Sequence, residues 1–133
     1  EDRSKFCLKQ GAIESSFELL IKESDIVSLH VPLTNLTRNM INKNVLKDMK
    51  VNAFLINTSR GPVVNPSDLH RALVSKEILG AALDVFCSEP PDDIEFLKLP
   101  QLMVTPHIGG NSIEAVEAMG QAAIDNLLKY FNK

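Results

Sequence analysis

The segment AFLINTSRGPVVN, residues 53–65, holds the two features that decide the fold class. Its first four residues form a continuous apolar run, a pattern typical of a strand that is covered on both faces of a parallel sheet. Four polar residues then end the run, among them Arg60, before the chain turns at Gly61-Pro62. The segment therefore predicts a buried strand whose carboxyl end presents polar and charged side chains.

Three further apolar runs have the same continuous pattern and are predicted to be strands of the same sheet. They are residues 26–29, 81–85 and 102–104. Helical segments alternate with these strands, and helix-capping residues precede them. The predicted caps are Ser15 with Glu18, Asn42, Asn65 ahead of Pro66, and Asn111 with Glu114. The alternation predicts an α/β domain whose parallel sheet is joined by right-handed crossovers.

Composition and charge exclude several classes of protein. The 133 residues carry a formal net charge of -3, which offers no basic surface to nucleic acid or to an anionic membrane. No apolar run approaches the roughly 20 residues that span a bilayer, and the first residues do not read as a signal peptide. Cys7 and Cys87 form no ligand set with histidine. We therefore expect free thiols in a cytoplasmic protein and no metal site.

Chemically active side chains follow three of the predicted strands. Arg60 follows the second strand, Glu89 the third and His107 the fourth. Ligands of open α/β sheets bind beyond the carboxyl ends of the strands, so we expect these side chains at one edge. Arginine holds a carboxylate with a planar fork, histidine exchanges a proton near neutral pH, and a carboxylate fixes the tautomer of a neighbouring histidine. The three are suited to bind a carboxylate substrate and to move one proton on or off the oxygen of its neighbouring carbon.

Each of these residues also has a plainer interpretation. A lone arginine after a strand is usually a solvated or ion-paired rim residue, and a lone histidine before two glycines can serve the turn alone. Glu89 is one of several acids in a proline-rich loop, with Asp92 and Asp93 close behind it. The combination of three complementary types at one sheet edge favours the functional interpretation.

Four motifs, SDIVSLHVPLT, LINTSRGPVV, GAALDVFCSEP and TPHIGG, occur in this order. Together they resemble the signature set of the NAD-dependent D-2-hydroxyacid dehydrogenases, from about Ser24 to the final helix. The resemblance implies a partial doubly wound, Rossmann-like sheet. It also implies an oxidoreductase that transfers a hydride between NAD(H) and C2 of a small D-2-hydroxy or 2-keto acid.

The resemblance assigns roles to individual residues. Arg60 matches the arginine that binds the substrate carboxylate, His107 the histidine that protonates the carbonyl oxygen, and Glu89 its acidic partner. Asp84 matches the residue that hydrogen-bonds the nicotinamide carboxamide, and His30-Val31-Pro32 matches a loop over the adenine side. The complete set expected to bind the cofactor is Asp2, His30, Val31, Pro32, Thr58, Ser59, Arg60, Asp84, His107, Gly109 and Gly110.

The sequence departs from the family pattern in one respect, because it contains no G-x-G-x-x-G phosphate-binding loop. We therefore expect residues 1–133 to be a fragment, the C-terminal portion of a dinucleotide-binding domain without the substrate domain. Such a fragment is expected to bind NAD poorly and to be inactive alone. Asp2 at the ribose position favours NAD, while Arg3, Ser4 and Lys5 beside it leave NADP open.

A different function stays open on the same fold. Transcriptional corepressors that resemble this family keep the dehydrogenase motifs, so a non-catalytic NAD(H)-sensing or interaction module is the alternative. The final helix has one apolar face, including Ile113, Val116 and Leu127, which is interpreted as core or as dimer surface. A homodimer is expected for the full-length protein.

Overall fold

The computed structural model describes residue 7 and residues 9–131. Four parallel strands form one sheet in the order β1-β2-β3-β4, which confirms the predicted parallel α/β architecture. The strands are β1 (Ile26–Leu29), β2 (Phe54–Asn57), β3 (Gly80–Leu83) and β4 (Leu102–Val104). The helices are α1 (Phe17–Glu23), α2 (Lys43–Asp48), α3 (Pro66–Val74), α4 (Ile94–Leu97) and α5 (Ile113–Phe131), with a 3₁₀ turn at Gly61–Val63.

The strand register brings all four carboxyl ends to one level. Leu29 pairs with Asn57, Asn57 with Leu83, and Leu83 with Val104, so the last residues of the four strands form one row. The predicted β1 and β4 have the observed bounds. The predicted β2 and β3 are shifted, because Asn57 still pairs within the sheet whereas Asp84 lies beyond the end of β3.

Two of the four predicted helix caps are confirmed. The side chain of Asn42 accepts hydrogen bonds from the amides of Asn44 and Val45 at the start of α2. Asn65 accepts one from the amide of Asp68 ahead of Pro66, at the start of α3. These side chains satisfy amide donors that the helix itself leaves free.

The caps predicted for α1 and α5 are wrong by one residue. The hydroxyl of Ser16, not of Ser15, accepts a hydrogen bond from the amide of Leu19. At α5 the hydroxyl of Ser112, not the side chain of Asn111, accepts one from the amide of Ala115. In both places two residues able to cap stand side by side, and the helix begins one residue later than the sequence predicts.

The core lies on one face of the sheet. Inward strand residues such as Val27 and Leu55 pack there with Ile21 of α1, Leu46 of α2 and Leu69 of α3, all of them buried. Within residues 9–131 no helix is long and apolar enough to cross a membrane.

The other face of the sheet is open in the described part of the chain. Ile26, Phe54 and Met103 are 60%, 43% and 68% exposed there, and no residue of α5 is buried. The prediction that each strand is covered on both faces is therefore wrong for these residues. A continuous apolar run indicates that both faces of a strand suit burial, but not which element covers them.

Candidate active site

His107 and Glu89 form a pair beyond the ends of β4 and β3. The Nδ1 atom of His107 lies 2.8 Å from Oε2 of Glu89, and the two side chains are 48% and 38% exposed. The other carboxylate oxygen of Glu89, Oε1, accepts a hydrogen bond of 2.9 Å from the amide of Phe86. Glu89 is therefore held by its own loop at one oxygen and holds the imidazole with the other.

The protonation of this pair follows from its hydrogen bonds. The bond with His107, followed by the bond from the Phe86 amide, lowers the pKa of Glu89 below its ordinary value. An ionised carboxylate can only accept, so the proton of the shared bond resides on Nδ1 of His107. This leaves Nε2 as the ring atom that can exchange a proton with a substrate.

Asp84 fixes the backbone on both sides of His107. Its buried carboxylate accepts hydrogen bonds from the hydroxyl of Thr105 at 2.5 Å and from the amides of Ile108 and Gly109, both at 2.9 Å. These donors, with the Thr105 hydroxyl first, lower the pKa of Asp84. His107 between them has φ of +54°, a left-handed conformation that is uncommon outside glycine.

Two glycines follow His107, and they differ in what surrounds them. A Cβ atom added to Gly109 would lie 2.9 Å from Oδ2 of Asp84, whereas one added to Gly110 would meet no atom within 4 Å. Gly109 is therefore required for the close approach of the loop to the carboxylate, and Gly110 is not.

Arg60 lies at the same edge but does not contact the pair in this structure. It lies in the turn after β2, is exposed, and its Nη1 atom donates to the carbonyl oxygen of Ser59 at 2.6 Å. Among residues 9–131 it forms no ion pair. The structure thus brings His107 and Glu89 together and leaves the guanidinium folded on its own turn.

Sequence reasoning gave no role to Asn57, which shapes that turn. Asn57 is 1% exposed, donates to the carbonyl of Arg60 at 3.0 Å, and accepts from the amide and hydroxyl of Ser59 at 3.0 and 2.8 Å. The missed signal was an asparagine that closes an apolar run two residues before a serine, a pattern typical of side chain to backbone turns.

The remaining predicted cofactor residues have separate surroundings. His30 follows β1 and its Nε2 lies 2.8 Å from the hydroxyl of Ser28. Val31 packs partly against the core, and the carbonyl of Pro32 accepts from the hydroxyl of Thr37. Asp2 lies outside the described residues. Their roles toward the cofactor stay predictions.

A cavity on the open sheet face suits the nicotinamide end of the expected cofactor. It has a volume of about 140 Å³ and lies at the carboxyl ends of β2, β3 and β4. Its lining combines apolar side chains with three polar ones. The lining residues are Ile56, Thr58, Ala82, Leu83, Asp84, Met103, Val104 and Thr105. An apolar floor with a polar rim fits a planar heterocycle that carries an amide. A phosphate cradle of the G-x-G-x-x-G type is absent from the sequence.

The sequence of this chain is similar to those of known proteins. Residues 2–109 match the family model described as D-isomer specific 2-hydroxyacid dehydrogenase, NAD binding domain. A glyoxylate reductase of Thermococcus litoralis is 49% identical over 120 residues, covering 90% of this chain and 36% of that protein. A glycerate dehydrogenase of Methylorubrum extorquens is 44% identical over 113 residues, covering 83% of this chain and 36% of that protein.

The fold has solved counterparts. The NAD-complexed D-isomer specific 2-hydroxyacid dehydrogenase of Lactobacillus delbrueckii ssp. bulgaricus superimposes with a TM-score of 0.85 at 33% identity. That superposition covers 93% of this chain and 42% of the other, and it confirms the Rossmann-like assignment. The matched family model confirms NAD as the cofactor type. The chain spans about a third of the length of the curated relatives it matches.

Proposed function

The chain belongs to the D-isomer specific 2-hydroxyacid dehydrogenase family through its NAD-binding domain, and on this premise we propose a specific reaction. The protein transfers a hydride between NAD(H) and C2 of a D-2-hydroxy or 2-keto acid. The observation that carries the proposal is the His107–Glu89 pair, joined at 2.8 Å, on the same sheet edge as Arg60.

Each side chain has one task in this reaction. Arg60 leaves the Ser59 carbonyl and binds the substrate carboxylate with two parallel N–H donors. When bound, NADH would supply the hydride that C2 receives, with its nicotinamide held in the cavity whose polar residues are Thr58, Asp84 and Thr105. His107 gives the proton on Nε2 to the carbonyl oxygen as the C=O π bond breaks, and takes it back when the alcohol is oxidised. Glu89 keeps the imidazole oriented through the hydrogen bond to Nδ1.

We propose that the whole protein combines residues 1–133 with a substrate domain. Residues 1–133 act as the C-terminal portion of a dinucleotide-binding domain, and a substrate domain closes over the acid. The protein works as a homodimer, for which the exposed apolar side chains of α5, such as Val116 and Leu127, offer contact surface. These assignments are supported by the family match and by the short coverage of the relatives.

The test is NADH oxidation by the protein as its gene encodes it, with glyoxylate, hydroxypyruvate and pyruvate supplied in turn. We expect steady turnover with at least one of these acids and formation of the D product where the product is chiral. Tight NADH binding with no turnover on any 2-keto acid would instead favour the NAD(H)-sensing module.

A further inference from the structure

We propose that Asn57 and Asp84 are the positioning residues of this site, Asn57 for the turn that carries Arg60 and Asp84 for the backbone that carries His107. Among residues 9–131, these are the buried polar or charged residues. They end or follow neighbouring strands, and the amide of Asp84 donates to the carbonyl of Asn57 at 3.0 Å. The inference rests on the proposed function for the meaning of Arg60 and His107.

Core packing does not explain why a polar side chain is buried at position 57. Its partners in the row of strand ends are Leu29 and Leu83, both buried, so the position accepts an apolar side chain. Instead an amide is buried there, and its three hydrogen bonds all go to Ser59 and Arg60. A buried polar group is costly unless its bonds are made, and here every bond it makes shapes the turn.

The buried carboxylate of Asp84 is not required by strand β3 either. Its hydrogen bonds reach residues 21, 24 and 25 positions away, on both sides of His107. The loop is therefore tied down at Thr105 and at the Ile108 and Gly109 amides, and the residue between these anchors holds a left-handed φ of +54°. Asp84 fixes the backbone of residues 105–109, and Glu89 fixes the orientation of the His107 ring.

This role differs from the one that the family resemblance assigns to Asp84. A carboxylate that only contacts nicotinamide would, when altered, weaken NADH binding and leave the His107 ring unchanged. A carboxylate that anchors the loop would, when altered, release the His107 ring from Glu89 and lower kcat. The two roles therefore predict different measurements.

The experiment compares Asp84→Asn and Asn57→Leu in the protein as its gene encodes it. Asp84→Asn keeps the shape but turns an amide donor toward amide donors of the loop. We expect its kcat to fall on the order of 10²-fold while KM for the 2-keto acid stays within a few-fold, because a small misplacement of a proton donor costs that much. Asn57→Leu should raise KM about tenfold or more, with kcat affected less.

A readout without turnover separates this inference from the proposed function. In proton NMR the Nδ1–H signal of His107, hydrogen-bonded to Glu89, should be present in the wild type and in Asn57→Leu. It should be lost or broadened in Asp84→Asn and in Glu89→Gln. If the wild type shows the signal but oxidises no NADH, the proposed function fails while the positioning role of Asp84 stands.

Control variants keep the test decisive. Asp92→Asn removes an exposed carboxylate of the same region that makes no side-chain hydrogen bond to the 105–109 loop, and should change neither kcat nor KM. If the primary variants do not fold, Thr105→Val replaces Asp84→Asn and Ser59→Ala replaces Asn57→Leu. Each removes one hydrogen bond and should give a smaller fall in kcat and a smaller rise in KM, respectively.

An Asp84→Asn protein with an intact His107 signal and weakened NADH binding would overturn the inference for Asp84. Unchanged KM in a folded Asn57→Leu protein would overturn it for Asn57.

Discussion

The two loops that carry the predicted chemistry are built in different ways. The turn after β2 is stabilised locally, because the side-chain hydrogen bonds of Asn57 go to residues two and three positions along the chain. The loop after β4 is held from elsewhere, by Asp84 and Glu89, which lie 18 to 25 positions away. Local turns form from their own sequence, whereas the histidine loop needs the assembled sheet. Changes in distant parts of the fold should therefore disturb His107 more than Arg60.

His107→Gln should have the largest effect, since it removes the imidazole that gives the proton to the substrate and donates a hydrogen bond to Glu89. We expect kcat to fall by about 10²- to 10⁴-fold with a smaller change in KM for the 2-keto acid. Steady-state NADH oxidation measures both parameters. Turnover near the wild-type value would refute the role of His107.

Arg60→Ala tests whether the turn after β2 binds the substrate carboxylate. Loss of a charge-assisted, two-point contact should raise KM about 10- to 100-fold, with the smaller part of the effect in kcat. Arg60→Lys is the matched variant, because it keeps the charge but not the planar fork, and should fall between the two. A KM equal to that of the wild type in Arg60→Ala would show that the carboxylate is bound elsewhere.

Glu89→Gln tests the long-range contact that orients the imidazole. The single oxygen of the amide cannot accept from both the Phe86 amide and the His107 ring, so we expect the ring to be less well oriented and kcat to fall about tenfold, less than in His107→Gln. The activity of Glu95→Gln, a change of an exposed acid in the same region, should be unchanged. An equal loss of kcat in both variants would contradict the role proposed for Glu89.

The same pair predicts a pH dependence of stability. Hydrogen bonds from the His107 ring and the Phe86 amide lower the pKa of Glu89 below its ordinary 4.5. A carboxyl group with a lowered folded-state pKa stabilises the fold above its unfolded pKa, and this is lost as pH falls through the folded value. The Tm of the wild type should exceed that of Glu89→Gln at neutral pH, and the gap should close below pH 4.5. Asp84 titrates in both proteins and cancels in the difference. A gap that persists unchanged in acid would contradict this assignment.

Gly109→Ala should have the smallest of these effects, and Gly110→Ala is its control. The new Cβ at position 109 would press on Oδ2 of Asp84, so we expect about 1 kcal/mol of destabilisation and a few-fold loss of kcat. At position 110 the new Cβ meets open space. Thermal unfolding and steady-state kinetics of the two variants make the comparison, and equal behaviour would show that the approach to Asp84 is not what requires glycine.

The sequence predicted local features better than tertiary ones, for a physical reason. The β1 and β4 strands and the caps at Asn42 and Asn65 depend on a few adjacent residues, and all were predicted. The parallel alternation also placed Arg60, Glu89 and His107 beyond the ends of strands. The turn role of Asn57 was equally local and was open to prediction from its spacing to Ser59.

What the sequence could not indicate were contacts between distant residues. The bonds of Asp84 to Thr105, Ile108 and Gly109 depend on the β3–β4 register, which periodicity does not specify. Likewise, the apolar runs could not reveal that Phe54 and Met103 lie on an open face in the described chain. The position of the Arg60 guanidinium on Ser59 depends on a side-chain rotamer that no sequence pattern fixes.

The most direct test of the central claim is a crystal structure of the protein, as its gene encodes it, with NADH and oxamate, an unreactive 2-keto acid analogue. We expect Arg60 to leave the Ser59 carbonyl and to bind the oxamate carboxylate. We also expect Nε2 of His107 to lie about 3 Å from the oxamate carbonyl oxygen, with Nδ1 still hydrogen-bonded to Glu89. Oxamate bound away from His107, with Arg60 still folded on its turn, would contradict the roles proposed for both residues.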